Sequence, residues 1–170
     1  FIYNKKFTIM KDKKFNIRFA EINDIPTIMR FIKELALYEH LENELKLTEE
    51  SLKENIFNKK KAEIIIAFED DIPIGYAVFF ETFSTFEGKH CLYLDDLYIN
   101  DKYRGFGYGK RLFKEIAEIA YERNCGRFEW QCLDWNKSSI DFYLSMNAEM
   151  VKDARVYRLT NEALKKLISI

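Results

Sequence analysis

The sequence predicts a mixed α/β fold in one domain, with strands and helices interleaved along the chain. Three observations carry this reading. The 170-residue length fits one domain of roughly 100–200 residues. Apolar residues make up 48% and aromatics 16%, which supplies a core and excludes disorder for the bulk of the chain. Segments of strand character alternate with segments of helical periodicity in the order β-α-α-β-β-β-α-β-α-β. A chain of this size buries about 70% of its unfolded surface and needs no disulfide or metal staple.

Residues 1–14 carry five lysines and no periodicity. They lack the apolar core of a signal peptide and read as a mobile basic tail, leaving 15–170 as the domain. Phe15–Phe19 alternates and predicts a strand. Asp24 then caps a helix with Pro26 in its first turn. Ile25, Ile28, Met29, Ile32, Leu35 and Ala36 follow at helical spacing to about His40. Thr48-Glu49-Glu50-Ser51 resembles a capping-box start for a second helix to about Asn58. Ala62–Phe68 and Ile72–Thr82, parted by Glu69-Asp70-Asp71, form a hairpin signal. Cys91–Ile99 is a further strand. A long helix starts at Gly107 or Tyr108, with Leu112, Phe113, Ile116, Ala117, Ile119 and Ala120 on its apolar side. Phe128–Leu133 reads as a strand, Asn136–Met146 as a helix, Val156–Leu159 as a strand and Asn161–Ile168 as a short helix.

Composition excludes several function classes. Lysine plus arginine number 27 against 28 acidic residues, a net charge of −1, so no bulk attraction draws the chain to nucleic acid or an anionic membrane. The longest dense apolar runs, Ile64–Phe68 and Ile72–Phe80, are of strand length and far short of the ~18 residues of a membrane span. Cys91, Cys125 and Cys132 are an odd set without a CxxC and read as small buried hydrophobes in a reducing compartment, here the cytoplasm. His40 and His90 are too few and too scattered for a zinc site or a Ser-His-Asp arrangement, so no metal is expected.

The most informative stretch runs from Leu92-Tyr-Leu-Asp-Asp-Leu-Tyr-Ile99 through Asn100-Asp-Lys-Tyr-Arg-Gly-Phe-Gly-Tyr-Gly109 into a helix. A strand thus enters a glycine-rich loop that opens a helix. Gly105, Gly107 and Gly109 allow close backbone approach, and the helix-start N–H groups suit a phosphate or pyrophosphate. Arg104 can add a charge-assisted hydrogen bond. The P-loop pattern fails because Lys110 is followed by Arg111. The dinucleotide fingerprint GxGxxG is also missed: the spacing is GxGxG, and no second βαβ half follows, although Glu129 lies near the expected acidic position.

A second constellation is Trp135-Asn136-Lys137-Ser138-Ser139-Ile140-Asp141-Phe142-Tyr143. Asn136 is a natural N-cap. Tyr143 lies seven residues on, nearly two helical turns, so both face one side of the helix and can address one extended ligand.

Arg104-Gly-Phe-Gly-Tyr-Gly109 resembles the R/Q-x-x-G-x-G/A signature of the GNAT superfamily of N-acetyltransferases, and Asn136…Phe142-Tyr143 resembles its second signature. Within that superfamily the chain is similar to diamine (spermidine/spermine) and thialysine acetyltransferases. This closer likeness rests on Ile32-Lys-Glu-Leu-Ala-Leu-Tyr-Glu39, Leu92–Asp96, Asp101–Gly109 and Trp135-Asn136, and it extends from about Ile17 to the C-terminus. The resemblance implies a central, mostly antiparallel sheet with one splayed parallel pair, flanked by helices, and a homodimer. It also implies direct acetyl transfer from acetyl-CoA to a small cationic amine.

Carried over residue by residue, the resemblance places Leu97, Tyr98 and Ile99 on the acetyl-CoA strand, where backbone N–H groups stabilise developing oxyanion charge. Arg104, Gly105, Phe106, Gly107, Tyr108, Gly109 and Lys110 would hold the pyrophosphate, and Asn136, Ser138 and Ser139 would meet the pantetheine arm. Tyr143 matches the general acid: a phenol of pKa about 10 is protonated at neutral pH and can supply the thiolate's proton. Asp95 stands where the diamine enzymes carry a glutamate that contacts substrate and relays protons, so its side chain is one methylene shorter. Strict alternation would turn only one of Asp95 and Asp96 toward the cleft. Tyr38 and Glu39 match the substrate-binding pair at the end of the first helix. Glu39, Asp95 and Asp153 would form an acidic pocket for a cationic amine.

Two departures bear on substrate. The segment Lys152-Asp-Ala-Arg155 lies around where close relatives carry an acidic residue and a tryptophan; Ala154 and Arg155 there disfavour a long polyamine, because a nearby cation would repel it. Phe86 lies where the diamine enzymes have a tryptophan. A small amine or amino-acid side-chain amine is therefore expected. The alternatives are a non-catalytic acyl-CoA-binding regulatory domain and a protein-lysine or N-terminal acetyltransferase.

Overall fold

The computed structural model describes residues 14–169. They fall into two compact units, one ending at Gln131 and the other starting at Cys132. The first holds β1 (Phe15–Phe19), α1 (Ile25–Tyr38), α2 (Glu49–Leu52), β2 (Glu63–Glu69), β3 (Ile72–Ser84), β4 (Lys89–Ile99), α3 (Tyr108–Glu122) and β5 (Phe128–Trp130). The second holds α4 (Lys137–Leu144) and α5 (Asn161–Leu167).

The sheet runs β1-β2-β3-β4-β5. Neighbours are antiparallel from β1 to β4, and β4 pairs with β5 in parallel. The mixed α/β class and the mostly antiparallel sheet with one parallel pair are thus as the sequence predicts. Asp70 and Asp71, with φ of 48° and 67°, make the two-residue β2–β3 turn, whose left-handed residues match the twist of the paired strands. The Asp70 N–H donates to the Lys14 carbonyl and the Lys14 N–H to Asp70 Oδ1, both at 2.9 Å, so Lys14 belongs to the folded unit, while residues 1–13 of the expected tail lie outside the described residues.

One core cluster joins α1 to the sheet: Ile28, Phe31 and Leu35 pack with Ile64, Ile66, Tyr76 and Tyr98. The Phe31 and Tyr76 rings stack at 5.7 Å. α1 starts where Pro26 and the helical apolar spacing require. Asp24 holds the N-cap position, yet its carboxylate is taken by Arg18 at 2.7 and 2.9 Å and by the Glu21 N–H, so the expected side-chain cap becomes a clamp to β1. The Thr48–Ser51 box caps α2 as expected, and the helix continues as a π-helical turn over Lys53–Asn58. α3 packs its Phe113 ring against Phe128 and Trp130 of β5, with centroids 5.1 and 5.0 Å apart.

Two expected strands change. The ladder of β5 ends at Trp130, because its partner β4 is paired only through Leu94. Val156–Leu159 forms no strand: Val156, Tyr157 and Leu159 are all exposed. Alternation supplies a pleated apolar face, but a strand also needs a ladder partner, and none is found for this segment among the described residues.

Candidate active site

The site begins at a fault in β4. Val78 pairs with Asp96 and Phe79 with Leu94, so Asp95 is an extra residue, a β-bulge. The bulge reverses the strand's hand. Before it, the N–H of Leu92 points to β5, bonding the Arg127 carbonyl at 2.9 Å. After it, the N–H of Asn100 points to β3, bonding the Ile74 carbonyl at 2.8 Å. Alternation from Asn100 turns the N–H of Tyr98 toward β3 and those of Leu97 and Ile99 the other way. Pairing with β5 has already stopped at Leu94, so that edge carries two donors that neither neighbouring strand takes. Of the three residues expected on the acetyl-CoA strand, Leu97 and Ile99 present their amides, while Tyr98 packs its ring into the core.

The same bulge gathers carboxylates. Glu39, half-buried just past α1, lies within electrostatic range of Asp95, and both groups act on Asp96. Burial raises the Glu39 and Asp95 carboxyls above their ordinary values, with the Asp95 charge adding to the rise at Glu39. Asp96 is pushed up to about 6, chiefly by burial and then by its two acidic neighbours, against a Tyr76 hydroxyl that donates to it at 2.7 Å. Strict alternation does not hold here, because the extra residue lets Asp95 and Asp96 act on one electrostatic cluster. Asp153, the third expected member, is an exposed residue of the second unit. Neither Tyr76 nor the Asp96 contact was singled out in the sequence. The available signal was an Asp-Asp doublet inside an apolar strand, where an alternating strand has no room for two consecutive acids.

The raised Asp96 carboxyl predicts a pH-dependent stability. The folded group keeps its proton to about pH 6, whereas the unfolded group loses it near 3.9. The folded state therefore binds more protons between these values, and its stability falls as pH rises through that window. Asp96→Asn removes a penalty of about 3 kcal/mol at pH 7 and well under about 1 kcal/mol at pH 4. The expected gain is roughly 6–12 °C in Tm at neutral pH, fading below pH 5. A thermal melt of both proteins at pH 4 and 7 checks it, and an equal shift at both values would refute the assignment.

The loop after β4 has the conformation that glycine permits. Gly105 and Gly107 sit at φ of 82° and 81°, and a Cβ added to either would meet no protein atom within 4 Å. Open space therefore lies over the loop. The first intrahelical bond of α3 runs from the Arg111 N–H to the Gly107 carbonyl, so the N–H groups of Tyr108, Gly109 and Lys110 precede the ladder. These donors at a helix start fit a pyrophosphate. The Tyr108 side chain is turned inward: its ring stacks on Phe15 at 5.0 Å and its hydroxyl bonds the buried Glu69. Phe106 and Lys110 are exposed.

Arg104, expected at the pyrophosphate, makes its side-chain contacts at the end of β4. Its Nε donates to the Ile99 carbonyl at 2.8 Å, and its Nη2 pairs with Asp101 at 2.8 Å. Its guanidinium lies 4.7 Å from the Tyr38 ring centroid and 5.3 Å from that of Tyr98.

In the second unit, buried Asn136 caps α4: its side-chain oxygen accepts from the Ser139 N–H at 3.2 Å. Ser138 is exposed and Ser139 half-buried in the first turn. Tyr143 is half-buried, its ring edge-on to Phe142 at 5.3 Å.

A bulged strand with amides turned off the sheet thus runs into a glycine loop that opens a helix. Residues 28–147 match the model of the acetyltransferase (GNAT) family, and the chain belongs to that family. It is an acetyl-CoA-dependent N-acetyltransferase. Over 163 residues the chain is 34% identical to thialysine N-epsilon-acetyltransferase of Sus scrofa, covering 89% of this chain and 95% of that protein. It is 27% identical to an L-ornithine N5-acetyltransferase of Arabidopsis thaliana, over 89% of this chain and 86% of that one. The structure of an integron cassette protein from the V. cholerae mobile metagenome superposes with a TM-score of 0.77 at 26% identity, covering 92% of this chain and 98% of that one.

Proposed function

We propose that the protein transfers the acetyl group of acetyl-CoA directly to a small cationic primary amine, such as an amino-acid side-chain amine. The observation that carries this is the cluster of Glu39, Asp95 and Asp96 at the β4 bulge, beside amides turned off the sheet. Three carboxylates in one region favour an ammonium group, and the Leu97 and Ile99 amides would donate to the thioester carbonyl. Gly105 to Lys110 would hold the pyrophosphate, and Asn136 with Ser138 and Ser139 the pantetheine arm. Tyr143 protonates the leaving thiolate. Asp95 takes the amine's proton through water, since an alkylammonium of pKa about 10.4 must be neutral to attack. The relatives that act on thialysine and on ornithine, both short amino-acid side-chain amines, support this size of substrate. The same reading makes the protein a homodimer of single-domain chains in the cytoplasm.

Release of free thiol from acetyl-CoA tests it, using thialysine, L-ornithine, lysine, putrescine, spermidine and a lysine peptide. Amine-dependent release, fastest with the amino acids, is the expected result. Fast release with the peptide alone would move the protein to the protein-lysine class. Binding of acetyl-CoA without release to any of these amines would favour a regulatory domain. Glu39→Gln and Asp95→Asn should each raise the amine KM roughly 10- to 100-fold, the worth of a hydrogen bond to a charged group. Neither should move the acetyl-CoA KM. Unchanged amine KM values in both variants would remove the acidic cluster from substrate binding.

A further inference from the structure

The end of α1 is tied to the end of β4 by side-chain hydrogen bonds and ring contacts. Glu34 accepts from Asn100 Nδ2 at 2.9 Å and from Arg30 at 3.3 Å. One turn further along α1, Tyr38 lies under the Arg104 guanidinium. That guanidinium also donates to the Ile99 carbonyl, pairs with Asp101 and covers Tyr98. Arg104 thus spans from the wall assigned to the amine to the last residue of the acyl strand. A planar group whose edge donates in two directions while its face lies on a ring can do this, and an ammonium cannot.

We infer that Arg104 is a positioning residue for the amine: it holds Tyr38 against the end of β4 and thereby fixes the amine-binding wall relative to the acyl strand. This rests on the proposed role of Tyr38 and Glu39 at the substrate. Glu39 follows Tyr38 directly, so a shift of the Tyr38 ring moves the start of the acidic cluster. The acetyl-CoA side is held separately. Ile99 stays in register through its pairing with Gly75, and the donors of the glycine loop are main-chain groups.

The test is Arg104→Lys, which keeps the charge and loses the fork and the flat face. With acetyl-CoA and the best amine among thialysine, L-ornithine and spermidine, the amine KM should rise about 10-fold. The acetyl-CoA KM should stay within twofold and Tm within a few degrees. Tyr38→Ala should also raise the amine KM, and the double variant should be no worse than the worse single one, because both break the same contact. A rise confined to the acetyl-CoA KM would make Arg104 a phosphate ligand and overturn the inference. Equal rises in both KM values with a large loss of Tm would reduce it to a scaffold residue and also overturn it. An effect of Tyr38→Ala with none of Arg104→Lys would overturn the brace alone. No effect of Tyr38→Ala would remove Tyr38 from the amine site, and the inference with it.

Discussion

Tyr143→Phe should lower kcat by about 100-fold or more and leave the acetyl-CoA KM nearly unchanged. A phenol with a pKa near 10 carries its proton at neutral pH and can deliver it to a departing thiolate; a phenyl ring cannot. The variant isolates the hydroxyl. Tyr143 is half-buried on α4, edge-on to Phe142, and a phenylalanine keeps that ring contact. The helix is capped by Asn136 at its other end, two turns away, so the substitution leaves its start intact. Steady-state rates with saturating amine, together with acetyl-CoA titration by calorimetry, separate chemistry from binding. A variant that binds acetyl-CoA and turns over at the full rate would end the general-acid assignment. A variant that loses binding and rate together would make Tyr143 a ligand of the cosubstrate instead.

Much of the fold was legible in the sequence. The spacing of apolar residues fixed α1 and α3, and Asp70-Asp71 between two apolar runs marked the β2–β3 turn. Arg104 to Gly109 and Asn136 to Tyr143 stood out, because glycine at left-handed positions and a polar helix cap leave distinct letters in a sequence. What was not legible depends on partners rather than on letters. Alternation along Leu92–Ile99 assumes an unbroken strand, and the bulge at Asp95 exists only because β3 meets β4 one residue out of step. Val156–Leu159 has strand composition without a ladder. The Arg104 guanidinium is held by a carbonyl, a carboxylate and two rings that converge only in the fold.

The bulge at Asp95 has two consequences of its own. A single extra residue exchanges which amides face β3 and which face outward, and it sets two consecutive acids among the groups that shift each other's titration. On the proposed function, the donors for an acyl oxygen and two of the charges for an ammonium follow from one local irregularity. Whatever fixes the register of β3 against β4 beyond that point also fixes the site.

Gly75 fixes that register, and Gly75→Ala should be the most damaging small substitution in the sheet. A Cβ at this position would sit 2.5 Å from Ile99 Cδ1, 3.2 Å from Ile99 Cα and closer still to the Tyr98 carbonyl oxygen. The Ile99 methyl can rotate away, but the Tyr98 carbonyl is main chain, so β4 itself must move. Overpacking of this kind costs about 1–3 kcal/mol. For a chain of this length that is a fall in Tm of roughly 3–10 °C. The larger effect should be on rate. Leu97 and Ile99 lie within two residues of the clash, and a displacement of about 1 Å at a reacting group can cost on the order of 100-fold. The folded variant should therefore show kcat reduced far beyond its loss of folded protein. Gly109→Ala is the control for stability. Its Cβ would meet only Ile99 Cγ1 at 3.9 Å, an ordinary contact, and alanine favours the helix, so its Tm should hold or rise. If Gly75→Ala melts with the parent and turns over at the parent's rate, the β3–β4 register does not set the position of the acyl-strand amides.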